Sequence, residues 1–172
     1  MKEIYTIGHS NRSIEEFKRL LIEHSVEVLA DVRRFPSSKY EHFNQDKLKK
    51  SLKDVGIDYI WFEGLGGYRK KILENSPNTA IKSRGFRNYA DYMLTKEFRE
   101  EVEKLIEIAE KRKVAIMCSE KFFWKCHRKF ISDYLTLRGF IVIHIINDVV
   151  KEHRLSREAR VTNIGLIYDV EL

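Results

Sequence analysis

The chain holds two cysteines, and both belong to one short segment, Met117-Cys118-Ser119-Glu120 followed by Cys126-His127-Arg128. The thiolate is the reactive form of cysteine, and neighbouring cations lower the pH at which it forms. Lys125, Arg128 and Lys129 supply such cations around Cys126, and a place in the first turn of a helix would add the positive end of the helix dipole. Cys126, or else Cys118, is therefore a candidate nucleophile or redox thiol. His127 shares a helical face with Phe130, Ile131 and Tyr134, so its ring is expected to tilt toward the sheet, where it is a candidate proton carrier. Glu120 follows an apolar strand, where a carboxylate stays solvated, pairs with an arginine or acts as a base. A plainer reading stays open at this level: both thiols are small buried filler, and His127 is a hydrogen-bonded core residue.

Two further clusters share this setting. Gly8-His9-Ser10-Asn11-Arg12 follows the apolar run Ile4 to Ile7, and Asp31-Val32-Arg33-Arg34 follows Val26 to Ala30. His9 is a candidate acid–base group, while Ser10 and Asn11 either hydrogen-bond a ligand or satisfy their own turn. Asp31 and Arg33 flank a residue that faces the opposite way, so they share one side of their strand. That spacing suits an internal ion pair or a carboxylate–guanidinium couple facing a ligand. Arg12, Arg33 and Arg34 are candidates for bidentate contact with phosphate or carboxylate. Ligands of open α/β sheets bind outside the carboxyl ends of the strands. Three strands that end in His, Arg, Asp, Glu and Cys therefore give a site expectation with a geometric reason.

The elements that must position these residues alternate. Ser13 with Glu16 three residues on is a capping-box signature, and Ile14, Phe17, Leu20 and Leu21 then repeat on one helical face. Glu27 to Val32, Ile57 to Phe62, Val114 to Met117 and Phe140 to Ile146 read as strands. Asp46 to Val55 and Phe86 to Leu94 read as helices, and Phe98, Val102, Leu105, Ile106 and Ala109 form the stripe of a longer one. This rhythm predicts an α/β fold: one domain over residues 1–172, a three-layer sandwich around a mostly parallel sheet of about five strands. Residues 64–84 lose periodicity and carry Gly64, Gly66 and Gly67, which marks a functional or mobile loop. Residues 147–172, charged to Arg160 and apolar from Ile164 to Val170, read as an extension: a helix followed by an edge strand, or an arm.

Composition narrows the function classes. At 172 residues, 43% hydrophobic and 34% charged, the chain is globular rather than disordered. No apolar run approaches the roughly 20 residues that cross a bilayer, and no charged-then-apolar leader precedes the first strand. A cytoplasmic protein with no membrane partner is expected. Two cysteines do not make a secreted disulfide framework. Abundant Lys and Glu beside a single glutamine, Gln45, is the bias of heat-adapted proteins. A net charge of +6 favours an anionic partner, small molecule or nucleic acid, without demanding one. Basic residues interleave with aromatics between Tyr68 and Tyr92 and between Phe122 and Arg128, a pattern that fits single-strand binding as well as packing. Adjacent helix residues diverge by about 100°, so Cys126 and His127 do not readily share one tetrahedral zinc with Cys118. No metal site is assigned, no cofactor is indicated, and the oligomeric state is not legible. Gly64 to Gly67 lacks the Lys-Ser or Lys-Thr of a phosphate-binding loop.

Several stretches together resemble the uncharacterised family called domain of unknown function 488. They are Thr6 to Ser13, Asp31-Val32-Arg33 with Pro36, Leu65-Gly66-Gly67, Gly85 to Met93, and Met117 to Glu120 with Cys126-His127-Arg128. The resemblance covers nearly everything up to Ile146. Phe123-Trp124 departs from it, where a shorter, often proline-containing connection is usual. It implies an α/β sandwich-like fold and brings no established activity. The residues themselves point to an enzyme acting on an anionic, phosphate-bearing or nucleotide-like substrate. Arg12, Arg33 and Arg128 would grip the anion, with Ser10 and Asn11 beside them. Cys126 or Cys118 would react, His9 or His127 would carry the proton, and Glu120 and Asp31 would orient. Two other classes compete: a non-catalytic nucleic-acid-binding module, and a thiol redox or metal-binding domain.

Overall fold

Burial on both faces is written into the strands. In the computed structural model, which describes residues 2–172, six segments form one sheet: β1 (Glu3–Gly8), β2 (Val28–Asp31), β3 (Asp58–Trp61), β4 (Val114–Cys118), β5 (Ile141–Ile145) and β6 (Val150–Glu152). Their order is β3-β2-β4-β1-β5-β6. Neighbours run parallel except β5 and β6. Every residue of β2 and β4 is buried, as parallel strands covered by helices require.

The period of two along each strand divides the core. Tyr5, Ile7, Leu29, Ala115 and Met117 face α1 (Ile14–Glu23) and α2 (Gln45–Lys53), meeting Phe17, Leu20, Leu21, Leu48 and Leu52. Ile4, Val28, Ala30, Val114 and Ile116 face α3 (Arg84–Tyr92), α4 (Lys96–Lys111) and α5 (Arg128–Leu137). There the stripe Phe98, Val102, Leu105, Ile106 and Ala109 is buried as its spacing predicts. Ser13 Oγ accepts from the Glu16 amide at 3.1 Å, and Thr95 Oγ1 from the Phe98 amide at 3.2 Å. Each such cap stabilises its helix by about 1 kcal/mol. The result is the expected three-layer α/β sandwich, with one strand more than expected.

The extra strand comes from the C-terminal segment, which contains no helix. Asn147, at φ 127°, reverses the chain after β5, and β6 returns antiparallel along the edge. A hairpin follows, β7 (Ala159–Thr162) and β8 (Gly165–Tyr168), whose Leu166 and Tyr168 bury against the α3–α5 layer. The charged stretch lacks a helical apolar stripe, and its Val and Ile residues suit strands better. Residues 64–84 contain no strand or helix before α3 apart from one 3₁₀ turn at Glu63–Leu65, yet they are anchored. The Tyr89 and Tyr92 hydroxyls donate to the carbonyls of Leu65 and Gly64, each at 2.7 Å. Buried Asn78 donates to Asp91 Oδ1 at 2.7 Å and accepts from the Tyr168 amide at 2.8 Å. No helix among the described residues is long and apolar enough to cross a membrane.

Candidate active site

The three polar clusters meet because β2, β4 and β1 are adjacent. In register, Gly8 lies opposite Cys118 and Asp31 opposite Met117. Beyond β4 the chain crosses the end of β1, with the His9 amide donating to the Cys118 carbonyl (2.8 Å) and the Ser10 amide to that of Ser119 (3.0 Å). A Cβ on Gly8 would lie 1.8 Å from the Glu120 carbonyl oxygen, so this crossing needs glycine.

At the crossing the two thiols touch. Cys118 Sγ lies 3.2 Å from Cys126 Sγ. Arg128 Nε donates to both, at 3.0 and 3.3 Å, and the Arg128 amide donates to Cys126 Sγ at 3.4 Å. Cys126 is extended and precedes the helix: His127 is the N-cap and Arg128 the first residue of α5. It therefore lies outside the first turn in which the sequence placed it, but still receives a helix-terminal amide. Burial opposes ionisation of Cys126. The Cys118 hydrogen bond, the Arg128 charge and the Arg128 donors outweigh burial and pull its pKa down to about 6. Burial and the facing sulfur push Cys118 well above its ordinary value. Near neutral pH the pair thus holds one proton between its two sulfurs.

Arg128 is itself buried and fully engaged. Besides the sulfurs, its Nη1 donates to Thr6 Oγ1 (3.0 Å) and its Nη2 to the carbonyls of Glu120 (2.6 Å) and Lys121 (3.3 Å). Beyond it, Thr6 Oγ1 hydrogen-bonds His144 Nδ1 (2.6 Å), His144 Nε2 hydrogen-bonds His153 Nδ1 (2.8 Å), and His153 Nε2 donates to Asp133 Oδ1 (2.7 Å). Tyr168 closes the series by donating to Asp133 Oδ2 at 2.8 Å. Burial, His153 and Arg128 lower the pKa of His144 to about 2, so it stays neutral. Phe123 stacks on its ring at 3.5 Å.

The other predicted residues divide. Arg33 forks onto Asp31 with its Nε at 2.9 and 3.1 Å and its Nη2 at 2.7 Å, and its Nη1 donates to the Phe43 carbonyl at 2.8 Å. The Tyr59 hydroxyl donates to the same carboxylate. Of the two readings open for this couple, the geometry is an internal ion pair. Arg12 is buried, donating to the Gly8 carbonyl (3.0 Å) and Asn147 Oδ1 (2.8 Å). Glu120 makes no side-chain ion pair within 4 Å among the described residues, and its Oε1 accepts only the Phe122 amide at 3.4 Å. His9 and His127 are both held neutral, chiefly by burial, with pKa values lowered to about 4. Half-buried His127 donates through Nε2 to the Val32 carbonyl (2.8 Å), which leaves the Nδ1 lone pair beside Gly67.

Two cavities open at this edge. The larger, about 630 Å³, has Cys118, Cys126, His127 and Glu120 in its lining, with Arg34 and Lys125 as its outer cations. Phe35, Tyr68, Phe86 and Tyr89 form apolar walls. The smaller, about 390 Å³, is lined by His9, Ser10, Asn11 and Tyr40 and shares Ser37 and Ser119 with the larger. Arg12, Asp31 and Arg128 line neither, while Arg33 reaches the larger. Among the described residues no group of three His, Cys, Asp or Glu side chains is arranged to hold a metal. The place against both sulfurs is taken by Arg128 Nε.

A sequence profile of the family described as domain of unknown function DUF488 matches residues 13–135, more than two thirds of the chain. The chain belongs to this family. No curated protein and no solved structure matches it. The DUF488 match takes in Asp31, Arg33, both thiols, His127 and Arg128. It excludes Thr6, His9, Arg12, His144, His153 and Tyr168, and ends before the Ile146 to which the resemblance extends. Sequence reasoning missed the series Thr6-His144-His153-Asp133. Its one visible signal was a histidine inside the apolar strand Ile141 to Ile145.

Proposed function

We propose that this DUF488 protein is a cysteine-dependent enzyme whose nucleophile is Cys126, acting on an anionic ligand that carries a flat ring. The observation behind this reading is the set of donors converging on Cys126 Sγ, from Cys118, Arg128 Nε and the Arg128 amide, at the wall of a cavity of about 630 Å³. Thiolates held this way attack at neutral pH. Because Arg33 and Arg128 are used inside the protein and Arg12 lines neither cavity, the anion falls to Arg34 and Lys125. Arg34 gives its Nε to Glu63 at 3.1 Å and keeps other donors free. Phe35, Tyr68 and Phe86 offer faces to a ring, the chemistry of a nucleotide-like substrate. Neutral His127 supplies an acceptor at Nδ1, and a longer ligand would extend past Ser37 and Ser119 to His9, Ser10 and Asn11.

The test is alkylation of the full chain by iodoacetamide across pH, with peptide mapping. Labelling should concentrate on Cys126 with a midpoint near 6, vanish in Cys126→Ala, and be slowed by a nucleoside monophosphate. A midpoint in the ordinary thiol range near 8.5 would overturn the proposal. A nucleic-acid-binding role draws on Trp124, which is exposed and stacked on Phe122 at 4.7 Å with Lys121 and Lys125 beside it. Salt-dependent RNA binding that survives replacement of both thiols would favour that second role.

A further inference from the structure

We infer that Cys118 and Cys126 form a two-electron redox site, in which a hydroperoxide oxidises Cys126 and Cys118 resolves it to a disulfide. This rests on the reading above only in taking Cys126 as the reactive sulfur. A lone nucleophile needs a cation or a base beside it, but has no use for a second thiol. Here the second thiol lies 3.2 Å from the first, and both line the open cavity, where a small oxidant and a small reductant reach them. A disulfide requires an S–S distance of about 2.05 Å, so the sulfurs must approach by little more than an ångström. Cys118 sits at the end of the buried strand β4, whereas Cys126 follows a single 3₁₀ turn, Phe123–Lys125, and is the side free to shift.

The chemistry balances with the hydroperoxide as oxidant. The Cys126 thiolate attacks the terminal peroxide oxygen: an S–O bond forms, the O–O bond breaks, and the departing alkoxide takes a proton from water. The Cys118 sulfur then attacks the sulfenic sulfur of Cys126. The S–S bond forms, the S–O bond breaks, and hydroxide leaves with the Cys118 proton as water. Two sulfurs are oxidised, one peroxide is reduced to alcohol and water, and an external thiol restores the pair.

Arg128 sets the poise of this pair. In the reduced form its Nε bonds both sulfurs, and its other partners are a hydroxyl and two carbonyls. Closing the disulfide removes the thiolate and leaves a buried cation without a counter-charge. Stabilising the reduced form makes a disulfide oxidising and readily reset.

The test treats the full chain with one equivalent of hydrogen peroxide, blocks free thiols with N-ethylmaleimide and weighs the intact protein. The expected product has lost two hydrogens and takes up no maleimide, and reduced glutathione returns it to two blocked thiols. Cys118→Ser should stop at a Cys126 sulfenic acid that dimedone traps, and Cys126→Ser should not react. Arg128→Met should make the disulfide harder for glutathione to reduce. Two thiols still free after peroxide would overturn the inference, even where Cys126 alkylates with its acidic midpoint. A disulfide formed without an acidic midpoint would leave Cys126 as the peroxide-reactive sulfur and overturn the proposed enzyme function alone.

Discussion

Arg33 and Arg128 are both buried at the carboxyl edge of the same sheet, yet they do opposite things. Arg33 is forked onto the carboxylate of Asp31, with the Phe43 carbonyl and the Tyr59 hydroxyl beside the pair and His9 Nε2 3.4 Å from its Nη1. Arg128 meets no carboxylate. Its partners are two sulfurs, a hydroxyl and two carbonyls, so its charge acts on the thiols. A unit charge about 4 Å away, at an effective dielectric near 20, contributes about 4 kcal/mol. Together with the Cys118 hydrogen bond and the Arg128 donors, that charge outweighs burial and holds a thiolate. The difference teaches that the partner, rather than the residue type or its depth, decides whether a buried arginine can activate a neighbour.

The largest effects should separate the two arginines. Asp31→Ala leaves Arg33 buried and uncompensated, which should cost about 3–5 kcal/mol of stability in urea unfolding. It should leave the alkylation midpoint of Cys126 where it is. Arg128→Met removes a charge that no carboxylate answers, so the fold should lose less than in Asp31→Ala. The midpoint should instead climb toward about 8.5, slowing Cys126 labelling at neutral pH by about tenfold or more. If the Asp31 variant moved the midpoint as far as the Arg128 variant does, the contrast between the pairs would be broken.

Stability against pH gives the next largest signal. Cys126 has a pKa near 6 when folded and about 8.5 when unfolded, so between these values the unfolded chain holds more protons. Stability should therefore rise with pH across that window, be complete above it and be lost below about pH 6. Subtracting the Cys126→Ser profile isolates this contribution, and a flat difference would count against a thiolate in the fold. His9 and His127, lowered to about 4, act in the same direction at lower pH. Their contribution is present above the unfolded value of about 6.5 and disappears as pH falls through 4.

The smallest effect sharpens the comparison farthest from the thiols. Thr6→Val keeps shape but ends the hydrogen-bond series that orients Arg128 from Asp133. The Cys126 midpoint should move up, by less than in Arg128→Met, while Thr6→Ser should restore it. Equal midpoints in all three proteins would make the series a packing feature alone.

Much of the fold could be read from residue order. The stripe from Phe98 to Ala109 and the Ser13 cap are local patterns, and they formed as read. The C-terminal segment was harder, because a charged stretch without a stripe leaves helix and edge strand undecided until β5 offers an edge to pair with. In the site, the candidate residues of three strand ends were legible, and β2, β4 and β1 bring them to one edge. What each residue touches was not. Arg12 meets Asn147, a partner 135 positions away. Arg128 meets Thr6 across 122 positions.

The order of amino acids alone determined the faces. Apolar periods of two and of three to four fix which side of each element is buried, and covered strands then align in parallel with their polar ends together. Only the tertiary structure decided the charge states: a thiolate pull at Cys126, neutral histidines, one arginine extinguished and one active. Burial and Coulomb forces change over a few ångströms, and those few ångströms are set by partners that lie far away along the chain.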